Sequence, residues 1–421
     1  MTHMKRRMLS LLASTLMRLL AACVVTHVPL SAAPPGSTAG FDFEIFPSIQ
    51  YAHTDIFSHT PSAQTPELAL TQEIAPGQRL DLLVIVRGFG VDADSRAHVT
   101  YELTIHNPNG KTQSPPDNVV VADNIKIDPN ALLFPARIVS FNVDPGDPSG
   151  EYRFEVAAHD HIGGGMVTKS ATVRVSATAD SLPLPADLDP ARFMGDYYQR
   201  PQPRLALPVL AALSHTPFAQ RKVDLQGPLF GFYEQVLADN PWLLPQFKTR
   251  LATSTDEAER RMFALVLAYT QRRDPNFGDE LPRSAQTALA TARNEPLPLP
   301  SREPLSGGQL DLLWGGFFAS GRFEPIAQLV AVAATYLPYR GKLEEFRKLS
   351  PRPKTAPPEV YKDAILGSAL WSLGSNAHQH TLVHDYLVAL QQSKDESPET
   401  KLVVQAALAW NPREPTALPH P

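Results

Sequence analysis

The apolar residues change period once along the chain, and that change constrains the fold more than any single motif. From about residue 41 to 178 they recur at every second position. Leu80, Leu82, Val84 and Val86 form one run, and Val99, Tyr101, Leu103 and Ile105 alternate with Thr100, Glu102, Thr104 and His106. Tyr152, Phe154, Val156 and Ala158 form a third, and Ala171, Val173 and Val175 a fourth. Successive strand side chains point to opposite faces, so this alternation buries one face of each strand and predicts an antiparallel β-sandwich over 41–178. From about 229 the spacing turns helical. Between the two lies 179–228, with Leu182-Pro183-Leu184-Pro185 and Pro201-Gln202-Pro203, which reads as a semi-rigid proline-rich connector. Proline is 41 of 421 residues, almost twice the usual ~5%.

The expected fold class is therefore multidomain all-β plus all-α: an N-terminal antiparallel sandwich, then an α-helical bundle or short helical-repeat domain over 229–412, with a proline-rich tail at 413–421. Asn240 reads as an N-cap with Pro241 at the first helical position. Ser254 through Glu257 reads as a capping box, and Ser397 as the cap of a last helix with Pro398 at its first position.

Gly150, Tyr152 and Phe154, entering a strand after the turn Asp144 to Ser149, resemble the penultimate strand of Ig-like and fibronectin-type sandwiches, where the tyrosine ties down a corner. The Cys…Trp…Cys core of true immunoglobulins is missing. In the helical half, Leu313, Trp314, Ile326, Leu329 and Val330 reappear in kind as Leu370, Trp371, Val383, Tyr386 and Leu387, a constant shift of 57 positions. Each set reads as helix, break, helix, with breaks at Ser320-Gly321 and Gly374-Ser375-Asn376. These pairs resemble TPR-type hairpins, although the spacing is longer and the Trp-x2-Leu-Gly element incomplete. Stacked hairpins of that kind present surfaces to other proteins; an ordinary packed bundle is the alternative.

At the N-terminus, Lys5, Arg6 and Arg7 precede an apolar stretch and then small residues, the pattern of a secretory signal over 1–33, with a tether at 34–40. Arg18 divides the apolar stretch, which argues against a membrane span of about 20 residues. Leu20-Ala21-Ala22-Cys23 resembles the bacterial lipobox, which implies acylation of Cys23; cleavage near Ser31-Ala32-Ala33 is the alternative. The expected location is the periplasm or cell envelope, with membrane contact only through the leader or a lipid anchor. Cys23 is the only cysteine, so disulfide frameworks and Cys-rich zinc sites within the chain are excluded. A net charge of −5 argues against a nucleic-acid partner.

Chemistry-bearing residues are few. His378, His380 and His384 are the densest ligand-like cluster; on a helix, His380 and His384 at i, i+4 would share a face. His159 and His161, two apart at a strand end, would project to one side. Either pair suggests a metal contact but lacks a further ligand, so no cofactor is expected. Asp144, Asp147 and Glu151 lack the ordered spacing of an EF-hand, and Gly88-x-Gly90 lacks the third glycine of a dinucleotide loop. No nucleophile elbow, Ser-x-x-Lys or P-loop is present. Trp314, Phe317 and Phe318, with Trp371, form a candidate interaction surface, although their helical spacing equally fits a buried seam. The expectation is a non-enzymatic envelope protein that binds other envelope proteins; a metal-binding carrier or metal-dependent enzyme is the alternative.

Overall fold

The computed structural model describes residues 40–411 apart from 61–65, 116, 136, 145, 305 and 352. The signal segment 1–33, Cys23 and the tail 413–421 lie outside the described residues, as does all of the tether but Gly40.

The alternating runs form two sheets. The smaller has strand order β1–β3–β7, from Asp42–Ser48, Arg79–Arg87 and Val139–Asn142, all antiparallel. The larger runs β2–β9–β8–β4–β5, from Glu73–Ile74, Met166–Val175, Gly150–Asp160, Arg96–His106 and Thr112–Gln113, with β6 (Val119–Lys126) also on β4. Its pairings are antiparallel except the two-residue β2–β9 contact, which is parallel. Register decides which residues face inward. Tyr101 pairs with Ala158, Leu103 with Val156 and Ile105 with Phe154, so three cross-strand pairs point at Leu80, Leu82, Val84 and Val86 of the other sheet in one core. Leu83 and Ile85, on the opposite face of β3, are buried too, so β3 is covered on both sides. The Tyr152 hydroxyl donates to Pro148 O at 3.0 Å, fastening the turn to its strand.

The helical region begins earlier than its sequence suggests. The stretch 179–228 carries α2 (Pro190–Asp196), α3 (Ala206–Ser214) and the start of α4 (Gly227–Asp239), and it buries Tyr197, Tyr198, Leu205, Val209 and Leu210. Its prolines explain the difference. Pro190 and Pro228 stand in the first turns of α2 and α4, as Pro245, Pro358 and Pro398 do in later helices. There the missing N–H loses no hydrogen bond and the fixed φ suits a helix. Much of the proline excess marks helix starts rather than linker. Described residues on both sides of this stretch belong to one compact unit.

The remaining helices are α5 (Leu244–Thr253), α6 (Glu257–Thr270), α7 (Arg283–Arg293), α8 (Gly307–Ser320), α9 (Phe323–Tyr336), α10 (Lys342–Lys348), α11 (Pro358–Gln379), α12 (Thr381–Gln392) and α13 (Pro398–Leu408). Helix α8 is apolar nearly all round because it serves two cores. Leu312 and Ala319 pack with α2 to α7, whereas Leu310, Trp314 and Phe317 pack with α9 and α11 to α13. It lies against α4 at glycine positions. A Cβ on Gly231 would come within 2.0 Å of Leu312 O, and one on Gly315 within 2.2 Å of Pro228 O. Ser397 caps α13 through the Thr400 N–H, as expected. The cap of α6 is Asp256, which accepts the Glu259 N–H at 2.8 Å, two residues later in the Ser254–Glu257 segment than a serine-led capping box places it. Asn240 precedes a 3-10 turn and makes no side-chain cap.

The 57-residue correspondence holds for one helix of each pair. Ile326, Leu329 and Val330 on α9 and Val383, Tyr386 and Leu387 on α12 are all buried. The preceding helices differ. Gly321 ends α8 in the left-handed conformation (φ 71°), but α11 runs straight through Gly374-Ser375-Asn376 and breaks only at His380. Among the described residues no helix is long and apolar enough to cross a membrane.

Candidate functional site at the sheet–helix junction

The most elaborate polar construction joins the two halves. After β1 the chain turns into α1 (His53–His59), and from there it reaches the helices four times. Gln50 Nε2 donates to Tyr198 O at 2.7 Å. Asp55 Oδ2 accepts the Phe323 N–H at 3.0 Å, so an orphan donor at the start of α9 is capped from another part of the chain. His59 stacks on Phe323 at 3.9 Å and 14°, and meets Tyr386 edge-on at 5.5 Å. Arg204 pairs with Glu73 of β2 at 3.1 Å, and Trp242 lies against Gly77, which turns with φ +83°.

Behind α1 a chain of charges crosses the junction. His53 and Asp81 are both almost wholly buried, with relative exposures of 4% and 3%. His53 Nδ1 meets Gln50 O at 2.8 Å; a carbonyl only accepts, so Nδ1 carries the proton. Its Nε2 lies 3.7 Å from Asp81 Oδ2. Asp81 also accepts from the Ser140 hydroxyl at 2.6 Å and pairs with Arg79 Nε at 3.1 Å. The Arg79 guanidinium lies 3.9 Å over the Tyr51 ring, whose hydroxyl returns a hydrogen bond to Arg79 O. On the helical side Asp239, at the end of α4, takes Arg322 at 2.7 Å and Gln235 at 2.8 Å.

The electrostatics follow from depth. Burial pushes the His53 imidazole below its ordinary value, against the pull of its Gln50 and Asp81 partners. Burial likewise raises the Asp239 carboxyl, opposed by Arg322. Burial raises the Tyr198 phenol to about 12. The serine, histidine and aspartate here do not form a nucleophilic triad: Ser140 donates to the Asp81 carboxylate and not to the His53 imidazole. The junction also leaves little internal space. Its cavity, lined by Gln50, Tyr51, Tyr197, Asp239 and Asn240, holds about 10 Å³, space for one water. The arrangement binds the sheets and the helices together. A second concavity of about 480 Å³, lined by Ser214, His215, Arg221, Arg261 and Met262, opens on the helical surface.

The residues singled out from sequence lie apart from this junction, with one exception. His380 is half-buried between Phe318 and the Tyr198 hydroxyl, 3.2 Å from its Nδ1, and burial holds its imidazole low. It occupies the break before α12 in an extended conformation, so it does not share a helix face with His384. His384 turns to Asp385 and His378 to Trp410, so these three histidines diverge. Trp314 and Phe317 are buried in the second helical core, and Phe318 is half-buried beside them; they are seam rather than surface, because three aromatics on one helical stripe seal a helix–helix contact. Trp371 is different, with 51% of its surface exposed. His159 and His161 do project to one side, their rings 6.3 Å apart and 23° from parallel. Among the described residues no group of three or more His, Cys, Asp or Glu is placed to hold a metal ion as the side chains stand. Sequence reading missed His53, Asp55, Asp81 and Asp239 altogether, because single polar residues without spacing carry no signal until the fold brings them together.

No protein-family model and no curated protein matches the chain. Among solved structures it is similar to a family 123 glycoside hydrolase from Clostridium perfringens (TM-score 0.21, 13% identity), over 41% of this chain and 35% of that one. It thus spans about a third of that hydrolase. It is also similar to an immunoglobulin-like protein from Pseudomonas aeruginosa (TM-score 0.17, 16% identity), over 34% of this chain and 100% of that one. A third likeness is to AvmM, which catalyses macrocyclization in alchivemycin A biosynthesis (TM-score 0.17, 10% identity), over 34% and 93% of the two chains. Likenesses this slight decide neither fold family nor activity.

Proposed function

We propose that this chain is an exported, non-enzymatic protein of the bacterial envelope, in which an Ig-like sandwich and a set of helical hairpins act as one rigid module for binding another envelope protein. The Ig-like reading is supported by two sheets closed on one core and by the Tyr152 to Pro148 hydrogen bond at the turn into β8. Export is supported by the leader pattern, with Cys23 as the site of a lipid anchor. Rigidity is supported by α1, whose contacts tie sheet to helices.

The observation that carries the binding role is Trp371. An indole half open to water on a helix is costly to leave uncovered, and tryptophan is the residue type most often found at the centre of binding energy. Tyr361 on the same helix and Leu402 on α13 are also exposed. Site-specific photo-crosslinking in the native envelope tests the proposal. A crosslinker at position 371 should give one discrete adduct, and one at the exposed Thr287 on α7 should give none. Equal labelling from both positions, or none from either, refutes a Trp371-centred interface.

A further inference from the structure

The outer face of the larger sheet gathers three imidazoles, one of which the sequence alone did not connect to the others. His98 on β4 stands between two neighbouring strands. On one side it pairs in register with Asp123 of β6. On the other, the His161 N–H donates to His98 O at 3.0 Å, continuing the β4–β8 ladder one rung past β8. The His98 and His161 rings are consequently only 4.4 Å apart. His159, two residues earlier, shares their face, since Thr100 is its partner on β4 and His98 precedes Thr100 by two.

We infer that His98, His159 and His161 form a three-imidazole site for a divalent zinc-type metal ion on the outer face of β4 and β8. Two residues at i, i+2 on one strand and a third directly across the ladder place three nitrogen donors on one patch without help from a helix or loop. The spacing suits the chemistry. With Zn–N near 2.0–2.1 Å, a ring centre stands about 3.2 Å from the metal, so two rings sharing a tetrahedral ion are about 5 Å apart. For the two pairs that share His161, the observed 4.4 Å to His98 and 6.3 Å to His159 bracket that figure. His161 is exposed, and His98 and His159 keep 37% and 30% of their side chains open to solvent, so rotation of side chains is the route by which the rings turn onto a common point.

Oxygen atoms stand beside all three rings. Asp123 Oδ1 lies 3.8 Å from His98 Nδ1 and Glu102 Oε1 lies 4.0 Å from His159 Nε2. The Thr100 hydroxyl, buried in the sheet, is 2.8 Å from His161 Nε2. Each imidazole has an oxygen near one ring nitrogen, and the other is without a hydrogen-bond partner among the described residues. Thr100 is within hydrogen-bond reach and so sets the tautomer and orientation of a ligating His161, whereas the two carboxylates stand beyond that reach and act on their imidazoles through charge. A water or a swung carboxylate completes four-coordination.

The test uses the full chain prepared without a histidine tag, titrated with Co²⁺ as a spectroscopic probe and then with Zn²⁺ by calorimetry. The expected results are a visible ligand-field spectrum that Zn²⁺ abolishes, a stoichiometry of one, and at least about tenfold weaker binding in each of His98→Ala, His159→Ala and His161→Ala. His215→Ala and His378→Ala should bind as the parent does. Circular dichroism should show all five variants folded, since these rings lie at the surface. Absence of Co²⁺ binding in the parent overturns the inference, as does binding that survives His98→Ala or is lost in His378→Ala.

Discussion

Replacing Asp55 tests whether α1 holds the sheets and helices together. Its carboxylate accepts the Phe323 N–H, and Arg322, the residue preceding α9, supplies no side-chain cap of its own. Removing an N-cap acceptor costs about 0.5–2 kcal/mol. The lost attraction between a negative charge and the positive end of the helix is worth about 0.3–1 kcal/mol at partly exposed sites. These are two views of one contact and overlap, so Asp55→Ala is expected to cost about 1–2 kcal/mol. Asp55→Asn keeps an acceptor and loses the charge, so it should cost about 0.3–1 kcal/mol. Asp256→Ala is the control, since Asp256 caps α6 from within its own segment. Urea unfolding followed by far-UV circular dichroism, with tryptophan fluorescence as a second probe, separates local from global consequences. All four tryptophans lie in the helical region. Asp55→Ala should split the transitions seen by the two probes, because it weakens the join between halves; Asp256→Ala should lower stability while leaving them coincident. Coincident transitions in Asp55→Ala, a loss below about 0.3 kcal/mol, or an Asn variant as damaged as the Ala one would refute the reasoning.

Three further outcomes follow from the packing. Trp314→Ala should cost about 3–5 kcal/mol, whereas Trp371→Ala should change stability by less than about 0.5 kcal/mol, although the two positions correspond in sequence; chemical denaturation of both variants measures the contrast. Gly231→Ala should destabilise by about 1–3 kcal/mol despite alanine's better helix propensity, because the new methyl meets Leu312 O; a thermal melt that improves would show that α4 and α8 separate freely. Burial holds His53 below the ordinary imidazole range, so the unfolded chain takes up this proton first as pH falls. The stability tied to a neutral His53 is present above about pH 6.5 and declines below it, by at most about 1.4 kcal/mol per pH unit until the folded state protonates as well. His53→Gln should remove that part of the pH dependence in urea titrations at stepped pH, and an unchanged profile would assign it to other groups.

How much of this architecture is legible in sequence depends on whether the controlling force is periodic. Val99, Tyr101, Leu103 and Ile105 announce their strand because burial of one sheet face repeats every two residues, and the inward register of β4 follows from the same count. Proline misleads for a reason equally physical: its ring suits both an extended linker and a helix's first turn, and only neighbours such as Tyr197 and Leu205 show which core receives it. The glycines of α4 and α8 give no signal in sequence because a close approach of two backbones leaves no mark on either helix's own apolar stripe. The paired tryptophans mislead in the opposite direction, since α11 runs through Gly374 where α8 stops at Gly321, and Trp371 stands in water while its counterpart is sealed. The imidazole face shows the limit most plainly. His159 and His161 declare their shared side by a spacing of two, but His98 is some sixty residues away and becomes their neighbour only through the β4–β8 register. A ligand set spread over two strands is therefore invisible to any reading that treats one segment at a time. Such a set follows from sequence as soon as strand pairing is known, because pairing alone decides which distant side chains share a rung.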